Sequence, residues 1–198
     1  WPDGDGPCAL VLHSHGLGGN RAGGDAWGRA WRDAGFAVLH LQHPGSDSEV
    51  LRSGMVALRA AASAEQLRSR VADVRFAVDE ITRRAQRAES GWSRVRLDAT
   101  AASWRSFGAV TVVALAGQRY PVANASGVEP RLKAFAALSP SPGRMPGAFA
   151  GVRRPMQLAT GSHDSDALGR GLTGADRAGV YDALPPGKVV FPKRKIGR

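Results

Sequence analysis

Four short apolar runs recur along the chain, each breaking into turn-forming polar residues. They are "CALVLHSHG" (8–16), "FAVLHLQHPG" (36–45), "LKAFAALSPSP" (132–142) and "RPMQLATGSHDSD" (154–166). A strand with one wet face alternates apolar and polar residues, whereas a strand covered on both faces reads as a continuous apolar run. Between these runs lie segments with helical spacing. From Ala64 to Glu89, Leu67, Val71, Val74, Val78 and Ile81 recur three or four apart on one face. "DAWGRAWRDAG" (25–35) reads as a helix with Asp25 as N-cap and Gly35 just past its end. "TGADRAGVYDAL" (173–184) reads as another, capped by Thr173 and stopped by Pro185-Pro186. "SFGAVTVVALAG" (106–117) fits helix or strand by periodicity, and its length and small side chains favour helix. "KVVFPKR" (188–194) is a last short strand that Pro192 confines to an edge or an end. Strands alternating with helices predict an α/β fold: a mostly parallel sheet, with strands over 8–13, 36–41, 132–138 and 155–160 and helices on both faces. With no internal repeat or linker in view, the expectation is one domain over 1–198.

Composition narrows the class. At 43% apolar and 22% charged the chain is of ordinary globular type, and no apolar run approaches the roughly 20 residues that span a bilayer. Cys8 is the only cysteine, so an intramolecular disulfide is excluded. No targeting segment is read within residues 1–198, which leaves cytoplasmic and exported settings equally open. The net charge of +10 raises the question of a nucleic-acid partner. The arginines are scattered, however, apart from the terminal "KRKIGR". No zinc-ligand spacing, aromatic RNA-binding motif or leucine-zipper heptad accompanies them. Neither a nucleic-acid partner nor a membrane span is expected.

In parallel sheets reactive groups collect on loops at the carboxyl ends of strands. Three such loops carry suggestive residues: "HSHGLGG" (13–19), "SFG" (106–108) and "GSHDSD" (161–166). The glycines of the first are no dinucleotide fingerprint, because Arg21 stands where the third glycine would be needed. No G-K-[ST] is present, so a phosphate-binding P-loop is excluded as well. His13, His15, His40 and His43 have the look of metal ligands, yet on neighbouring strand ends loop-shaping hydrogen bonds are the commoner role. Neither a metal nor a cofactor is expected. Asn124-Ala125-Ser126 satisfies a glycosylation sequon of a kind frequent by chance.

Longer stretches carry a resemblance. "LVLHSHGLGGNR", "GFAVLHLQHPGSD", "ADVRFAVDEI", "SFGAVTVVALAG", "RLKAFAALSPSP" and "VRRPMQLATGSHDSDALGRGLTGADRAGVYDALPPG" together cover most of the chain. In that order they resemble the bacterial α/β-hydrolases known as predicted dienelactone hydrolases, related to platelet-activating-factor acetylhydrolases. The resemblance implies a Ser-Asp-His triad in that chain order, with Ser106 as nucleophile at a strand-to-helix turn. It implies an oxyanion hole from the backbone N–H groups of Leu17 and Phe107, and Asp164 as triad acid, with Asp166 of the same loop as the alternative.

Two departures stand against it. The family's G-H-S-x-G is here Trp104-Arg105-Ser106-Phe107-Gly108, and a tryptophan two residues before the serine predicts overpacking of about 1–3 kcal/mol. The preceding "LDATAAS" lacks the Val/Ile run of a central strand, so 97–105 is expected to be the least regular part of the sheet's centre. The second departure is that no histidine follows Asp164: His163 is the last, and the chain ends "KVVFPKRKIGR" where the family has a histidine turn and a final helix. The expectation is an α/β-hydrolase domain truncated at that end. Codons GCG-GCG-TCG-TGG-CGG for Ala101–Arg105 would read Gly-Val-Val-Ala-Gly two bases along, so a change of reading frame is one expected origin of both departures.

Three readings of function follow. The first is a serine hydrolase acting on small-molecule carboxylic esters or lactones by acyl transfer to Ser106. The second is an impaired member of that family, since a serine hydroxyl without a base is a poor nucleophile. The third is a basic module for anionic polymers, whose binding would weaken steeply with salt. Trp27, Trp31 and Trp92 are candidates either for an acyl pocket or for ordinary packing.

Overall fold

The computed structural model describes residues 1–120, 127–143, 145–164, 166 and 168–186. The sequon and the segment "KVVFPKR" lie outside the described residues. Five strands, β1 (Cys8–Ser14), β2 (Phe36–Leu41), β3 (Val95–Arg105), β4 (Ala134–Leu138) and β5 (Met156–Ala159), form one sheet in the order β2-β1-β3-β4-β5. All four pairings are parallel.

The helices are α1 (Asp25–Asp33), α2 (Ser48–Arg52), α3 (Met55–Ala61), α4 (Ala64–Gln86), α5 (Phe107–Ala116) and α6 (Gly174–Ala183). Right-handed crossovers decide which face each covers. The step from β1 to β2 runs one way across the sheet and the step from β2 to β3 runs back, so α1 and α4 lie on opposite faces. The step from β3 to β4 keeps the second direction and sets α5 beside α4. The strand order therefore turns between β1 and β3, the place where sheets of this type bind ligands.

The periodic stripe of α4 is the buried one: Leu67, Val71, Val74, Val78 and Ile81 all join the core, together with Arg70 from the same face. Ser63 caps this helix through the Gln66 amide. Helix α5 is buried on nearly every side, from Gly108 and Ala109 to Ala116, which is why its sequence shows no polar stripe. Thr173 and Asp176 make a reciprocal capping box on α6.

Two expectations need correction, and two elements are additional. The N-cap of α1 is Gly24, in left-handed conformation with φ 82°, and Asp25 instead lies in the first turn and pairs with Arg29. The short helices α2 and α3 were not read from the sequence. Strand β3 is irregular only in its first half: Cys8 pairs with Val95 but Leu10 already with Thr100, whereas residues 101–105 run in unbroken register with β4. Among the described residues no helix is long and apolar enough to cross a membrane.

Candidate active site

Ser106 sits between the end of β3 and the start of α5 with φ 56° and ψ −126°. Few non-glycine residues hold such a conformation, which stores about 1–3 kcal/mol and persists only where its surroundings enforce it. Here the enforcement is visible. The Ser106 amide donates to the Leu138 carbonyl of β4 (3.0 Å). At Gly108 a Cβ would overlap the Ser14 carbonyl and lie 2.6 Å from Trp104 Cδ1, so only glycine lets α5 start this close to β1. The turn thrusts the Ser106 side chain outward, where it is exposed.

The loop after β1 meets this turn. A Cβ on Gly16 would lie 3.7 Å from Ser106 Cβ and 3.6 Å from the Arg105 carbonyl oxygen. Among the described residues, the amides of Leu17 and Phe107 have no hydrogen-bond partner. His15 fixes the loop's course. Its Nε2 accepts from the His43 amide (3.0 Å), so its proton is on Nδ1, which donates to the Gly16 carbonyl (2.7 Å). The Gly19 amide reaches the same oxygen, and the Gly18 amide donates to the Ser46 carbonyl. Burial foremost pulls the His15 pKa down to about 4, aided by the nearby Arg70 and His43, so the ring is neutral near pH 7.

A cleft of about 270 Å3 brings Leu17, Ser106, Phe107, Asp164 and Asp166 together on its walls. Apolar Leu58, Leu67 and Val110 line it too, as do the four arginines 105, 119, 170 and 177. The carboxylate of Asp164 accepts from Thr160 Oγ1 (2.9 Å) and lies 3.7 Å from Nε of the buried Arg177. Arg177 also donates to the Ser139 and Pro140 carbonyls, stitching the loops after β4 and β5 together. Asp166 is held by Arg170 and by the amides of Leu168 and Arg170. Burial raises its pKa, but those partners outweigh burial and leave it below the usual carboxylate value. Among the described residues no histidine lines the cleft, and His163 is exposed. Trp27, Trp31 and Trp92 do not line it either: Trp31 packs on Phe36, and Trp92 on Trp1.

The four clustered histidines have separate lives. His15 and His43 hold loops, with His43 bridging Ser14 Oγ (2.9 Å) and Asp73 (2.8 Å). His13 faces His40 across β1 and β2, and both its nitrogens are buried without a hydrogen-bond partner among the described residues. Burial first, and then His40, pushes its pKa down to about 3. Among the described residues no three His, Cys, Asp or Glu side chains are grouped to hold a metal ion.

The crowding expected of Trp104 is taken up without a shift of the strand. The indole is only 8% exposed and stands edge-on to His13, ring centroids 3.7 Å apart. The register Trp104 with Ala137 and Arg105 with Leu138 is kept, so the strand has not moved aside. Space comes from Gly24, where a Cβ would overlap Trp104 Cη2 and come 2.8 Å from His13 Nε2.

Sequence reasoning missed one group beside the site, the buried Arg70 on α4, whose guanidinium lies 4.9 Å from the Phe107 ring centroid. The signal was legible: an arginine three residues after Leu67 and four before Val74 falls inside the apolar stripe.

No family model and no curated protein matches this chain. Solved structures do. A 2,6-dihydroxy-pseudo-oxynicotine hydrolase superposes with TM-score 0.62 at 16% identity, over 95% of this chain and 54% of its own, so the chain spans about half of that protein's length. A dienelactone hydrolase from Anabaena variabilis gives TM-score 0.55 at 20% identity, over 98% of this chain and 78% of its own. A structure designated m3DLH gives 0.52 at 18% identity, over 92% and 68%.

Proposed function

From the premise that this chain has the α/β-hydrolase fold, we propose that it carries a serine-hydrolase site for small carboxylic esters or lactones, without a cofactor, within a single domain. The observation behind this reading is the strained, exposed Ser106 in one cleft with two amides that have no partner among the described residues. In the reaction Ser106 Oγ bonds to the ester carbonyl carbon, and the carbonyl oxygen takes up the electron pair of the broken π bond. The amides of Leu17 and Phe107 receive that oxyanion, a pair of donors each typically worth about 10²–10³ in rate. Collapse expels the alkoxide, which leaves with a proton, and water then releases the acid from the acyl-serine.

The serine proton needs an acceptor, and this is where the site is poor. Asp164 faces Arg177 and Thr160 rather than an imidazole. That pairing favours the impaired form of the reading: an acylation-competent serine with slow turnover. Losing one member of a working Ser/His unit removes about 10⁶ in kcat, while the oxyanion hole and binding retain roughly 10³–10⁴ over water.

A fluorophosphonate probe tests this without knowledge of the substrate. Slow labelling is expected, located on Ser106 by peptide mass analysis and abolished in Ser106→Ala, with p-nitrophenyl acetate turnover barely above background. Labelling that persists in Ser106→Ala would refute the assignment.

A further inference from the structure

Arg70 is fully buried, and among the described residues none of its direct partners carries a charge. Its Nε donates to Thr111 Oγ1 (2.9 Å) and its Nη1 to Ser46 Oγ (2.8 Å). Its Nη2 donates to Ser14 Oγ (3.0 Å) and to the His15 carbonyl. Taking a guanidinium out of water costs several kcal/mol unless its surroundings compensate. A residue that only filled the α4 stripe would serve better as leucine or methionine, so the position calls for a reason beyond packing.

The partners supply it. His15 immediately precedes Gly16 and Leu17. Ser46 is the residue whose carbonyl receives the Gly18 amide. Thr111 in turn donates to the Phe107 carbonyl, and the Phe107 ring covers the guanidinium. One cation thus touches the loop carrying the Leu17 amide, the loop that supports it, and the helical turn carrying the Phe107 amide. Proton order in the network is consistent throughout. Arg70 donates to Ser14, leaving the Ser14 hydroxyl to donate to His43 Nε2, and His43 Nδ1–H to donate to Asp73. The charge on Arg70 is answered by Asp73 at the far end of this chain of bonds.

We propose that Arg70 is the positioning residue of the oxyanion hole, a buried guanidinium that sets the Leu17 and Phe107 amides against one reference point through His15, Ser46 and Thr111. This rests on the serine-hydrolase reading for its consequence in rate, but not for its consequence in geometry. It touches no reacting atom.

Two readouts keep the two ideas apart: the saturation kinetics of fluorophosphonate labelling at Ser106, and the amide 1H–15N resonances of Leu17 and Phe107. Arg70→Met should lower the limiting labelling rate by about 10²-fold, the scale of losing an oxyanion donor, with half-saturation little changed, and should displace both resonances. Arg70→Lys should recover part of the rate. Arg131→Met, which breaks the ion pairs with Asp79 and Glu129 away from the cleft, controls for lost stability. It should melt earlier yet label like the unsubstituted chain. If Arg70→Met does not fold, Thr111→Val and Ser46→Ala each remove one acceptor and carry the same test with smaller, several-fold losses. Labelling no slower than in Arg131→Met, with the two resonances in place, overturns the proposal. Should the unsubstituted chain not label at all, the hydrolase reading falls. The resonances then decide Arg70 alone: displaced, its positioning role stands, and unmoved, it is refuted.

Discussion

Replacing Trp104 by glycine restores the small residue that the elbow of the resembled family carries, and crowding alone would make the change stabilising. Packing around the indole argues for the opposite sign. Trp104 is 8% exposed, and an aromatic of this size buries about 150–250 Å2. At about 25 cal/mol per Å2 its removal forfeits about 4–6 kcal/mol, and a glycine in a strand adds about 0.5–1 kcal/mol of chain entropy. Against this stand the release of any residual crowding, about 1–3 kcal/mol, and access of water to the orphaned His13 nitrogens, of similar size. Centre against centre, the balance is a loss of about 2 kcal/mol, less than the roughly 3–5 kcal/mol known for emptying large aromatics from cores.

Urea unfolding at pH 7 reads this directly as a lower midpoint. A companion substitution sharpens it. Gly24→Ala should be severe in the native background, where the new Cβ overlaps the indole. In the Trp104→Gly background the overlap with the indole is gone, which leaves the left-handed penalty of a non-glycine residue, about 1–2 kcal/mol, and the 2.8 Å approach to His13 Nε2. Strong non-additivity is therefore expected. A raised midpoint for Trp104→Gly, or additive losses in the pair, would refute the packing argument.

Acid should unfold this chain early. His13, His15 and His43 are all held below their ordinary value, chiefly by burial. The unfolded chain thus takes up protons below about pH 6.5 that the folded one refuses. Stability is then complete above that pH and falls as pH drops toward 4, by up to about 1.4 kcal/mol per pH unit for each histidine. A melting temperature flat between pH 6.5 and 4.5 would contradict this, and Trp104→Gly should flatten the slope by freeing His13. Asp164→Asn should cost about 1–3 kcal/mol by weakening the hold on buried Arg177, yet leave Ser106 labelling within a few-fold; a loss on the scale of a broken triad would mean that some histidine does meet Asp164. Ser106→Gly should stabilise by about 1 kcal/mol, since glycine accepts φ 56° without strain, while Ser106→Ala should not. Equal melting temperatures for the two would show the turn to be unstrained.

What the sequence made legible followed from packing. The interiors of β1, β2 and β4 are runs such as "ALVL" or "AFAAL", because covering both faces demands it, while β3 is not such a run, and the α4 stripe announced its own burial. Helices α2 and α3 escaped because they are short and none of their residues but Leu58 is buried, so no period builds up. The cap of α1 was misplaced for a different reason. Gly24 is needed there by a left-handed turn and by the indole of Trp104, and neither demand is written in the adjacent residues. The same separation explains why the strand keeps its register beside Trp104: space for the end of the indole is provided by a glycine far away in the chain. At the site, Leu17, Ser106, Phe107 and Asp164 do converge on one cleft. The pairing of Asp164 with Arg177 was hidden, because an arginine in a helix otherwise reads as a surface residue.

The strained serine turn and the base of the proposed reaction are maintained by different energies. The turn at Ser106 is set by folding terms: a β4 carbonyl on its amide, Gly108 against β1, and an almost wholly buried α5. None of these depends on a histidine, so the geometry carries no information about turnover. The base depends on a distinct contact, an imidazole N–H reaching Asp164, and that carboxylate is already committed to Thr160 and Arg177. Restoring Gly-His before Ser106 would therefore act on packing alone. Supplying a histidine alone would set it in competition with a buried guanidinium for the same acid. Nucleophile and base contribute as a unit. It follows that neither repair should be measurable in rate until the other, together with release of Asp164 from Arg177, is in place.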